Sequence, residues 1–416
     1  MYNKYKALFE KYAELTAGIG ANVQQGQLVV INCPVDCAPF GRMVAEAAYK
    51  KGASCVQINW NDDSSRLIDY KYADLSVFDS VPQWKVESRM HYCRQGACFI
   101  SILGEDPDIF ASADQEKIKH DAISRAKALT EYYEYVMGNK CCWTIVAVPV
   151  QSWADKMFPN KGNSLELLTE AIFKTVRILN NEGVEIADPV AAWKEHCQII
   201  TDRCKFLNEK QFKYLHYKSS NGTDLKVGMP ENHIWMGAGE VSTSGTYFIA
   251  NMPTEEIFCA PDYRKITGTL VSSMPLSYMG NIINNFKFEY KDGFIVDFSA
   301  EVGYETLKNL LSIDNEVQFL GEIALVDKKS PISAMNTIFY NTLFDENASC
   351  HFALGEAYPS CIQGGTQMSR EELDSRGLNY SLEHVDFMVG TDDLSIVGYD
   401  SDDNATPIFV DGSFVI

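Results

Sequence analysis

The chain has 416 residues, of which 46% are hydrophobic and 12% are aromatic. This length exceeds what one hydrophobic core usually serves, so we expect two domains, and the aromatic content argues against a disordered protein. The formal net charge is −20, which disfavours nonspecific attraction to nucleic acids and to anionic membranes because both are themselves negatively charged. We therefore predict that neither is a partner.

The cysteines and the first residues indicate a compartment. None of the 12 cysteines belongs to a CxxC pair, and several stand alone in apolar segments, which is typical of buried thiols in a reducing environment. No apolar run approaches the roughly 18 residues that a membrane-spanning helix needs. The chain begins with Met1-Tyr2-Asn3-Lys4 and continues into an amphipathic pattern rather than an apolar leader. We therefore expect a cytoplasmic protein.

Helical and strand patterns alternate through the first half of the chain. Helical spacing of apolar residues predicts helices at residues 5–19, 40–50, 115–137, 164–180 and 189–211. Short apolar runs predict strands at residues 28–31, 55–58, 97–103 and 143–148. Strands separated by helices of this length predict βαβ units around a mainly parallel sheet. We assign residues 1–212 to this α/β domain.

From residue 213 the pattern changes to strands in close succession. Runs separated by Gly, Asn and Asp occupy residues 214–217, 224–227, 233–236, 265–271, 285–291, 294–300, 385–388, 394–397 and 409–410. Their spacing predicts antiparallel hairpins, and residues 304–312 and 352–357 are predicted to be helical. We assign residues 213–416 to a β-rich α+β domain.

This second domain carries acids and histidines whose chemistry suits a metal site. Carboxylates and imidazoles together bind borderline divalent ions such as zinc, cobalt or manganese. There are more of them than one ion needs when water must also bind, whereas two ions sharing carboxylates would use them all. The pattern favours a two-metal hydrolase, and its candidate ligands are Glu256, Glu322, Glu346, His351, His384 and Asp386.

The histidine motifs also have structural interpretations. His384 and Asp386 are two apart in a predicted strand and leave the same face of the sheet. A strand-end pair facing water would have the same spacing. His351 and Tyr358 are seven apart, which on a helix would place both on one face. That face could line a cleft or pack into a core.

The glutamates are equally open to two interpretations. Glu322 lies inside an otherwise apolar run, where a carboxylate needs a strong partner such as a cation. Glu346 could take part in capping a helix instead of binding metal. Glu255 and Glu256 could mark the solvated start of a helix, or one could bind metal while the other takes a proton from the attacking water. His196 and the remaining histidines lack paired ligand spacing and are interpreted as structural.

Several separated segments give the chain a resemblance to a known family. The segments are NMPTEEIFCAP (residues 251–261), LGEIALV (320–326), the run at 341–358 and HVDFMVG (384–390), with shorter matches at 188–193 and 222–225. Over its whole length the chain resembles the aminopeptidase T (thermophilic aminopeptidase) family of dinuclear metallopeptidases. The resemblance implies metal ligands at Glu256, Glu322, His351, His384 and Asp386, with Glu346 as a further position at the metals and Tyr358 beside them.

The resemblance also implies an activity and an assembly. Members remove N-terminal residues from peptides with broad side-chain tolerance, and they are homodimers whose enclosed cavity, formed with the N-terminal domain, admits short peptides. We expect two divalent ions per chain, either zinc, cobalt, manganese or magnesium, with Glu322 as the bridging carboxylate. Tyr358 is the expected hydrogen-bond donor to the oxyanion, and Glu255 is the expected general base.

Two other classes of protein stay open at this stage. One is a two-metal hydrolase of phosphoesters or non-peptide amides, although the segments at residues 254–258, 321–326 and 341–358 contain no Arg or Lys to hold a phosphate. The other is a non-catalytic peptide-binding protein. Comparing the hydrolysis of amino-acid anilides with that of aryl phosphates distinguishes a peptidase from the first class. Metal analysis distinguishes a metallopeptidase from the second class.

Overall fold

The computed structural model describes residues 1–278 and 281–416. The described chain divides into two compact units, one formed by Met1–Glu195 with Gly239–Pro253 and the other by His196–Ala238 with Thr254–Ile416. The predicted boundary at residues 212 and 213 separates two independently folding domains, and it stays a prediction. No helix among the described residues is both long enough and apolar enough to cross a membrane.

Most α-helices lie in the first half of the chain. They are α1 (Lys6–Leu15), α2 (Ala38–Lys50), α3 (Asp63–Tyr72), α4 (Gln83–Arg94), α5 (Gln115–Ala128), α6 (Thr130–Met137), α7 (Gln151–Met157), α8 (Ser164–Thr175), α9 (Pro189–Lys210), α10 (Tyr304–Leu310), α11 (Thr342–Asp345) and α12 (Arg370–Ser375). The predicted helix at residues 115–137 is two helices, α5 and α6.

The strands are distributed along the whole chain. They are β1 (Leu28–Pro34), β2 (Cys55–Asn61), β3 (Cys98–Leu103), β4 (Trp143–Ala147), β5 (Tyr214–Lys218), β6 (Asp224–Gly228), β7 (Met236–Gly237), β8 (Glu240–Val241), β9 (Tyr247–Phe248), β10 (Asn251–Met252), β11 (Glu256–Cys259), β12 (Ile266–Val271), β13 (Leu276–Tyr278), β14 (Asn281–Lys291), β15 (Phe294–Val302), β16 (Leu320–Val326), β17 (His351–Gly355), β18 (His384–Met388), β19 (Ser395–Tyr399), β20 (Ala405–Val410) and β21 (Ser413–Phe414).

The first unit is built on a parallel sheet of strand order β10-β4-β3-β1-β2. β1 pairs in parallel with both β2 and β3, and β3 pairs in parallel with β4. Helices connect these strands, because a parallel pair needs a crossover long enough to return the chain to the same end of the sheet. The prediction of an α/β region with a mainly parallel sheet is confirmed.

The second unit is built on antiparallel sheets. The larger has the order β13-β14-β12-β6-β5-β19-β20-β21, with β15 paired to β14, and the smaller has the order β18-β17-β16-β11-β7. The central strand of the smaller sheet, β16, is buried at every residue, as its largely apolar sequence predicts. The predicted β-rich α+β region is confirmed.

Two predicted elements of the second unit are wrong. Residues 352–357 were expected to be helical, but His351–Gly355 form strand β17. The run is short and wholly buried, and periodicity cannot distinguish a buried strand from a buried helix at this length. Residues 233–236 were expected to be a strand, but only an isolated bridge at His233 and the two-residue strand β7 form there.

Candidate metal centre

One face of the smaller sheet gathers five of the predicted ligands. Directly paired residues of antiparallel strands project from the same face, and so do residues two apart on one strand. β16 pairs with β11 on one side and with β17 on the other, and β17 pairs with β18. By this register the shared face carries Glu256, Glu322, His351, His384 and Asp386.

The residues between the predicted ligands anchor the strands. Ile257, Ile323, Phe352, Val385 and Phe387 alternate with the ligands, and all five are buried in the main hydrophobic cluster of this unit. The alternation therefore divides each strand into a buried apolar face and a polar face. A shift of one residue in register would place the acids in the apolar core, where an unpaired charge is costly.

Small residues leave room on the polar face. Ala353 pairs with Glu322 on one side and with Asp386 on the other. Because Ala353 carries only a methyl group, the two carboxylates can lean towards each other across β17. Ala324 occupies the equivalent place between Phe258 and His351.

Two glycines allow the close backbone approach that this arrangement needs. Gly321 stands at the irregularity in the register just before Glu322, and a Cβ there would lie 2.1 Å from the carbonyl oxygen of Glu356. Gly355 has φ +96°, and its Cβ would lie 2.1 Å from the carbonyl oxygen of Glu383. Backbone atoms cannot move aside as a flexible side chain can, so both positions require glycine.

The orientation of His384 leaves one ring nitrogen facing acids. Its Nδ1 is 2.8 Å from the carbonyl oxygen of Glu356, which can only accept, so Nδ1 carries the hydrogen. Its Nε2 is 3.1 Å from Glu322 Oε2 and 3.3 Å from Asp386 Oδ1. Burial lowers the pKa of His384, but the nearby carboxylates of Asp386 and Glu322 outweigh that effect and raise it to about 11.

His351 repeats this arrangement beside Glu256. Its Nδ1 is 3.1 Å from the carbonyl oxygen of Ser349 and therefore donates. Its Nε2 then faces Glu256 Oε2 at 3.5 Å. A backbone carbonyl that fixes the ring and its tautomer is the usual partner of a metal-binding histidine.

The donor atoms form two groups that share one carboxylate. Glu256, Glu322 and His351 each offer a ligand atom, and these atoms lie within 4.8 Å of one another. Glu322, His384 and Asp386 form a second group by the same measure. Glu322 belongs to both groups, and its side chain is only 7% exposed.

Glu346 lies beside these groups at the end of α11. It is the residue that follows the helix, so it does not cap the helix N-terminus; Asn341 does, accepting a hydrogen bond from the backbone of Leu343. Burial and the charges of Asp386 and Glu322 raise the pKa of Glu346 to about 8. Burial and the charges of Glu346 and Glu322 likewise raise the pKa of Glu256 well above its ordinary value.

These contacts fit divalent cations. When either imidazole ring is neutral, its unprotonated Nε2 faces carboxylate oxygens. The nitrogen and the oxygens are then all acceptors, and they repel each other unless a proton or a cation lies between them. Asp386 Oδ1 is buried and makes no hydrogen bond of good geometry. The two adjoining groups offer oxygen and nitrogen donors, and these are the ligand atoms that zinc, cobalt or manganese prefer.

Tyr358 approaches the groups from the loop that follows β17. Its ring centroid is 5.0 Å from that of His384 and 6.1 Å from that of Phe258. It does not share a helix face with His351, as the sequence had indicated, because His351 begins a strand. Burial and the negative charges of Glu322 and Asp386 raise the pKa of Tyr358 far above its ordinary value, so the phenol is a neutral donor.

Glu255 belongs to neither donor group. Its Oε2 is 3.7 Å from Nε2 of His196, on α9, and its backbone N–H donates to Oδ1 of Asn347 at 2.7 Å. His196 and Asn347 were not expected at the site, because His196 is 58 residues from Thr254, whose carbonyl it contacts, and Asn347 is 92 residues from Glu255. Local spacing carries no signal for contacts at such separations.

Comparisons with known proteins agree with this geometry. The family model described as thermophilic metalloprotease (M29) matches residues 5–414. Aminopeptidase AmpS of Bacillus subtilis (strain 168) is 44% identical over 405 residues, which is 97% of each chain. Aminopeptidase 2 of Geobacillus stearothermophilus is 42% identical over 414 residues, covering 99% of this chain and 98% of that protein.

A solved structure shares the fold over nearly the whole length. Wild-type AmpT from Thermus thermophilus superposes with a TM-score of 0.91 at 33% identity, covering 99% of this chain and 100% of that one. The resemblance inferred from the sequence segments is thus confirmed. The chain belongs to the thermophilic metalloprotease (M29) family and is a hydrolase that acts on peptides.

Proposed function

We propose that this protein is a cytoplasmic aminopeptidase that removes N-terminal residues from short peptides with the help of two divalent ions. The observation that carries the proposal is the pair of donor groups joined by Glu322. The proposed ligands are Glu256, Glu322, Glu346, His351, His384 and Asp386. The relatives named as aminopeptidases support peptide bonds as the substrate class.

Two bound divalent ions would supply the chemistry that side chains alone lack, because such ions lower the pKa of water from ~15.7 towards ~7 and polarise carbonyl groups. Glu322 holds the two donor groups at a fixed separation. Glu255 is the proposed acceptor of the proton that the nucleophile loses. Tyr358 stands as a neutral phenol beside His384 and donates a hydrogen bond to the developing oxyanion.

A free N-terminus could also be recognised at this site. The free α-amine of a peptide carries a nitrogen donor that one of the bound ions could hold, and a carboxylate outside the proposed ligand set, such as Glu255, could accept a hydrogen bond from it. An internal peptide bond brings no such amine. Restriction to the first residue of a peptide would follow from this recognition of the amine.

Substitution of Glu322 tests the central assignment. Glu322→Gln keeps the size of the side chain but replaces a ligand oxygen with an amide nitrogen that cannot bind a cation. We expect the variant to fold as the parent does and to lose metal-dependent hydrolysis of amino-acid p-nitroanilides. Glu305→Gln, at an exposed position on α10, is the control. Parent-level turnover by Glu322→Gln would remove the proposal.

The metal and the substrate class need separate tests. Reconstituting metal-free protein with zinc, cobalt, manganese or magnesium in turn, against a panel of amino-acid p-nitroanilides, identifies the most active ion. The same preparations assayed with aryl phosphates test the alternative of a phosphoesterase. Absence of both bound metal and chelator-sensitive hydrolysis would instead favour a non-catalytic peptide-binding protein.

We also propose a homodimer that encloses the site and limits substrates to short peptides. The assembly follows from the resemblance to the aminopeptidase T family. Light scattering coupled to size-exclusion chromatography measures it directly. A monomer with undiminished activity would contradict the enclosed site.

A further inference from the structure

The peptide group between Thr254 and Glu255 is held from two sides by distant side chains. His196 Nε2 lies 2.8 Å from the carbonyl oxygen of Thr254. Asn347 Oδ1 accepts the N–H of Glu255 at 2.7 Å. Both hydrogen-bonding groups of this single peptide unit are therefore satisfied by side chains rather than by a neighbouring strand.

The direction of each hydrogen bond is fixed. A carbonyl oxygen only accepts, so His196 carries its hydrogen on Nε2. The Nδ2 of Asn347 donates to the carbonyl oxygen of Leu343 at 3.1 Å, which leaves Oδ1 to accept from Glu255. Asn347 is fully buried, where breaking either bond would leave an unsatisfied polar group.

The held peptide controls two functional positions. Glu255 lies on one side of it with its carboxylate 3.7 Å from His196 Nε2, and Glu256, the first residue of β11, follows directly. Asn347 is in turn the neighbour of Glu346. One amide side chain thus ties the backbone that carries Glu255 and Glu256 to the backbone that carries Glu346.

We propose that His196 and Asn347 are positioning residues that clamp the Thr254–Glu255 peptide and so set the places of Glu255 and Glu256. This inference rests on the proposed function, because it assigns the two residues to the same site. They do not touch the substrate. They act through the backbone, as outer groups that orient metal ligands do, and the loss of such groups typically costs 10- to 100-fold in metal affinity or activity.

Paired substitutions at His196 test the clamp. His196→Leu removes the donor, whereas His196→Gln keeps an N–H at about the reach of Nε2. Zn²⁺ affinity is measured by competition with a chromogenic chelator, and kcat and KM are measured with an amino-acid p-nitroanilide at saturating Zn²⁺. We expect His196→Leu to lose about tenfold or more in Zn²⁺ affinity or in kcat, with KM little changed. His196→Gln should recover most of that loss.

Further variants and a test of folding make the outcome decisive. Thermal unfolding in chelator shows that each variant is folded, and His216→Leu, at a strand position of β5 away from the site, is the control. Asn347→Ala should reproduce the loss, and the double variant His196→Leu/Asn347→Ala should lose less than the product of the two single effects because both act on one peptide. Additive losses would overturn the clamp.

Failure of the clamp is distinct from failure of the proposed function. A parent enzyme without metal-dependent hydrolysis overturns the function itself. A metal-dependent parent, with His196→Leu unchanged in both Zn²⁺ affinity and kcat, overturns only the clamp. Equal losses in the Leu and Gln variants overturn it too, because the donated hydrogen would then be irrelevant.

Discussion

The phenol of Tyr358 is protonated, which suits its proposed role as a hydrogen-bond donor to the oxyanion. Its raised pKa, caused by partial burial and by the charges of Glu322 and Asp386, keeps the hydroxyl hydrogen in place at neutral pH. A donor that points at developing negative charge contributes more in the transition state than in the ground state. The chemistry of this residue therefore depends on the acids around it.

Tyr358→Phe should lower kcat by about 100-fold, the usual effect of removing one oxyanion donor, and should change KM little. Metal content and thermal stability should stay at parent values, since the ring is retained. Tyr380→Phe is a matched control because Tyr380 is 37% exposed and Tyr358 is 38% exposed. Steady-state kinetics with a p-nitroanilide measure the effect. A fall of less than threefold in kcat would exclude Tyr358 as the donor.

Asp262 shows how one buried carboxylate stabilises the second unit. The residue is 1% exposed, and it contacts Arg264 Nε at 2.9 Å and Lys265 Nζ at 2.8 Å. Burial raises the pKa of Asp262, but the hydrogen bonds from Arg264 and Lys265 outweigh burial and lower it below the ordinary value. Gly377 packs against the carboxylate so closely that a Cβ would lie 2.5 Å from it.

A carboxyl with a lowered folded-state pKa stabilises the fold above its unfolded pKa of ~3.9, and that stability is lost as the pH falls through the folded value. Asp262→Asn should therefore lower the free energy of unfolding at pH 7 by about 1–3 kcal/mol, the usual contribution of hydrogen bonds to charged groups. The difference from the parent should shrink below pH ~4. Urea unfolding in chelator at several pH values measures it, and a difference that does not depend on pH would contradict the ionic explanation.

At the scale of elements, strand β17 separates the two sides of the site. Ala353 lies between Glu322 and Asp386 in the register, and it is fully buried. Added methyl groups there would fill the space across which the acids approach each other. The small volume of the Ala353 side chain thus permits two donor groups to share Glu322.

Ala353→Val should weaken Zn²⁺ binding strongly and reduce turnover in parallel. Overpacking alone costs about 1–3 kcal/mol of stability, so the packing cost is measured separately, by urea unfolding in chelator. Ala300→Val, on β15 in the other sheet, is the control. A variant that loses stability but keeps the parent Zn²⁺ affinity would show that the size of the side chain at position 353 does not matter to the site.

The elements predicted correctly from sequence are those whose pattern is local. The β1 and β3 strands stand out as apolar β-branched runs, and the period of two in β18 places His384 and Asp386 on one face. The β17 strand was mistaken for a helix because its five residues are all buried and so show no alternation. Glu322 stood out as a candidate ligand because a carboxylate in an apolar run demands a partner.

The parts of the site that sequence did not predict depend on long-range register. Nothing near Ala353 indicates that it lies between two acids, since its partners are on strands 30 residues away or more. His196 lacks ligand spacing because it contacts a backbone carbonyl and not a metal ligand. Such roles arise from pairing between strands and from helix packing, which one sequence does not specify locally.

At the scale of the whole molecule, neither compact unit is a continuous piece of chain. Residues Gly239–Pro253 return to the first unit, where β10 extends the parallel sheet beside β4. The chain then enters the second unit at Thr254, immediately before Glu255 and Glu256. The strand that carries the first predicted ligand, Glu256, therefore begins just after the chain passes from one unit to the other.

The acids of the site link metal binding to the stability of the whole molecule. At least four carboxylates share the site, and the pKa values of Glu256 and Glu346 are raised because burial and mutual repulsion oppose their ionisation. Cations bound only by the folded state relieve this repulsion. A ligand at 100 times its dissociation constant adds ~2.7 kcal/mol per site.

Removal of metal should therefore lower Tm by several degrees, and restoring Zn²⁺ should reverse the change. Differential scanning calorimetry of the parent in excess chelator and in excess Zn²⁺ measures the shift. Glu322→Gln should show a much smaller difference between the two conditions, because it lacks the carboxylate that both donor groups share, whereas Glu305→Gln should behave as the parent does. Equal Tm values for the parent with and without Zn²⁺ would contradict the proposed metal site, since an ion that binds the folded state and not the unfolded state must raise Tm.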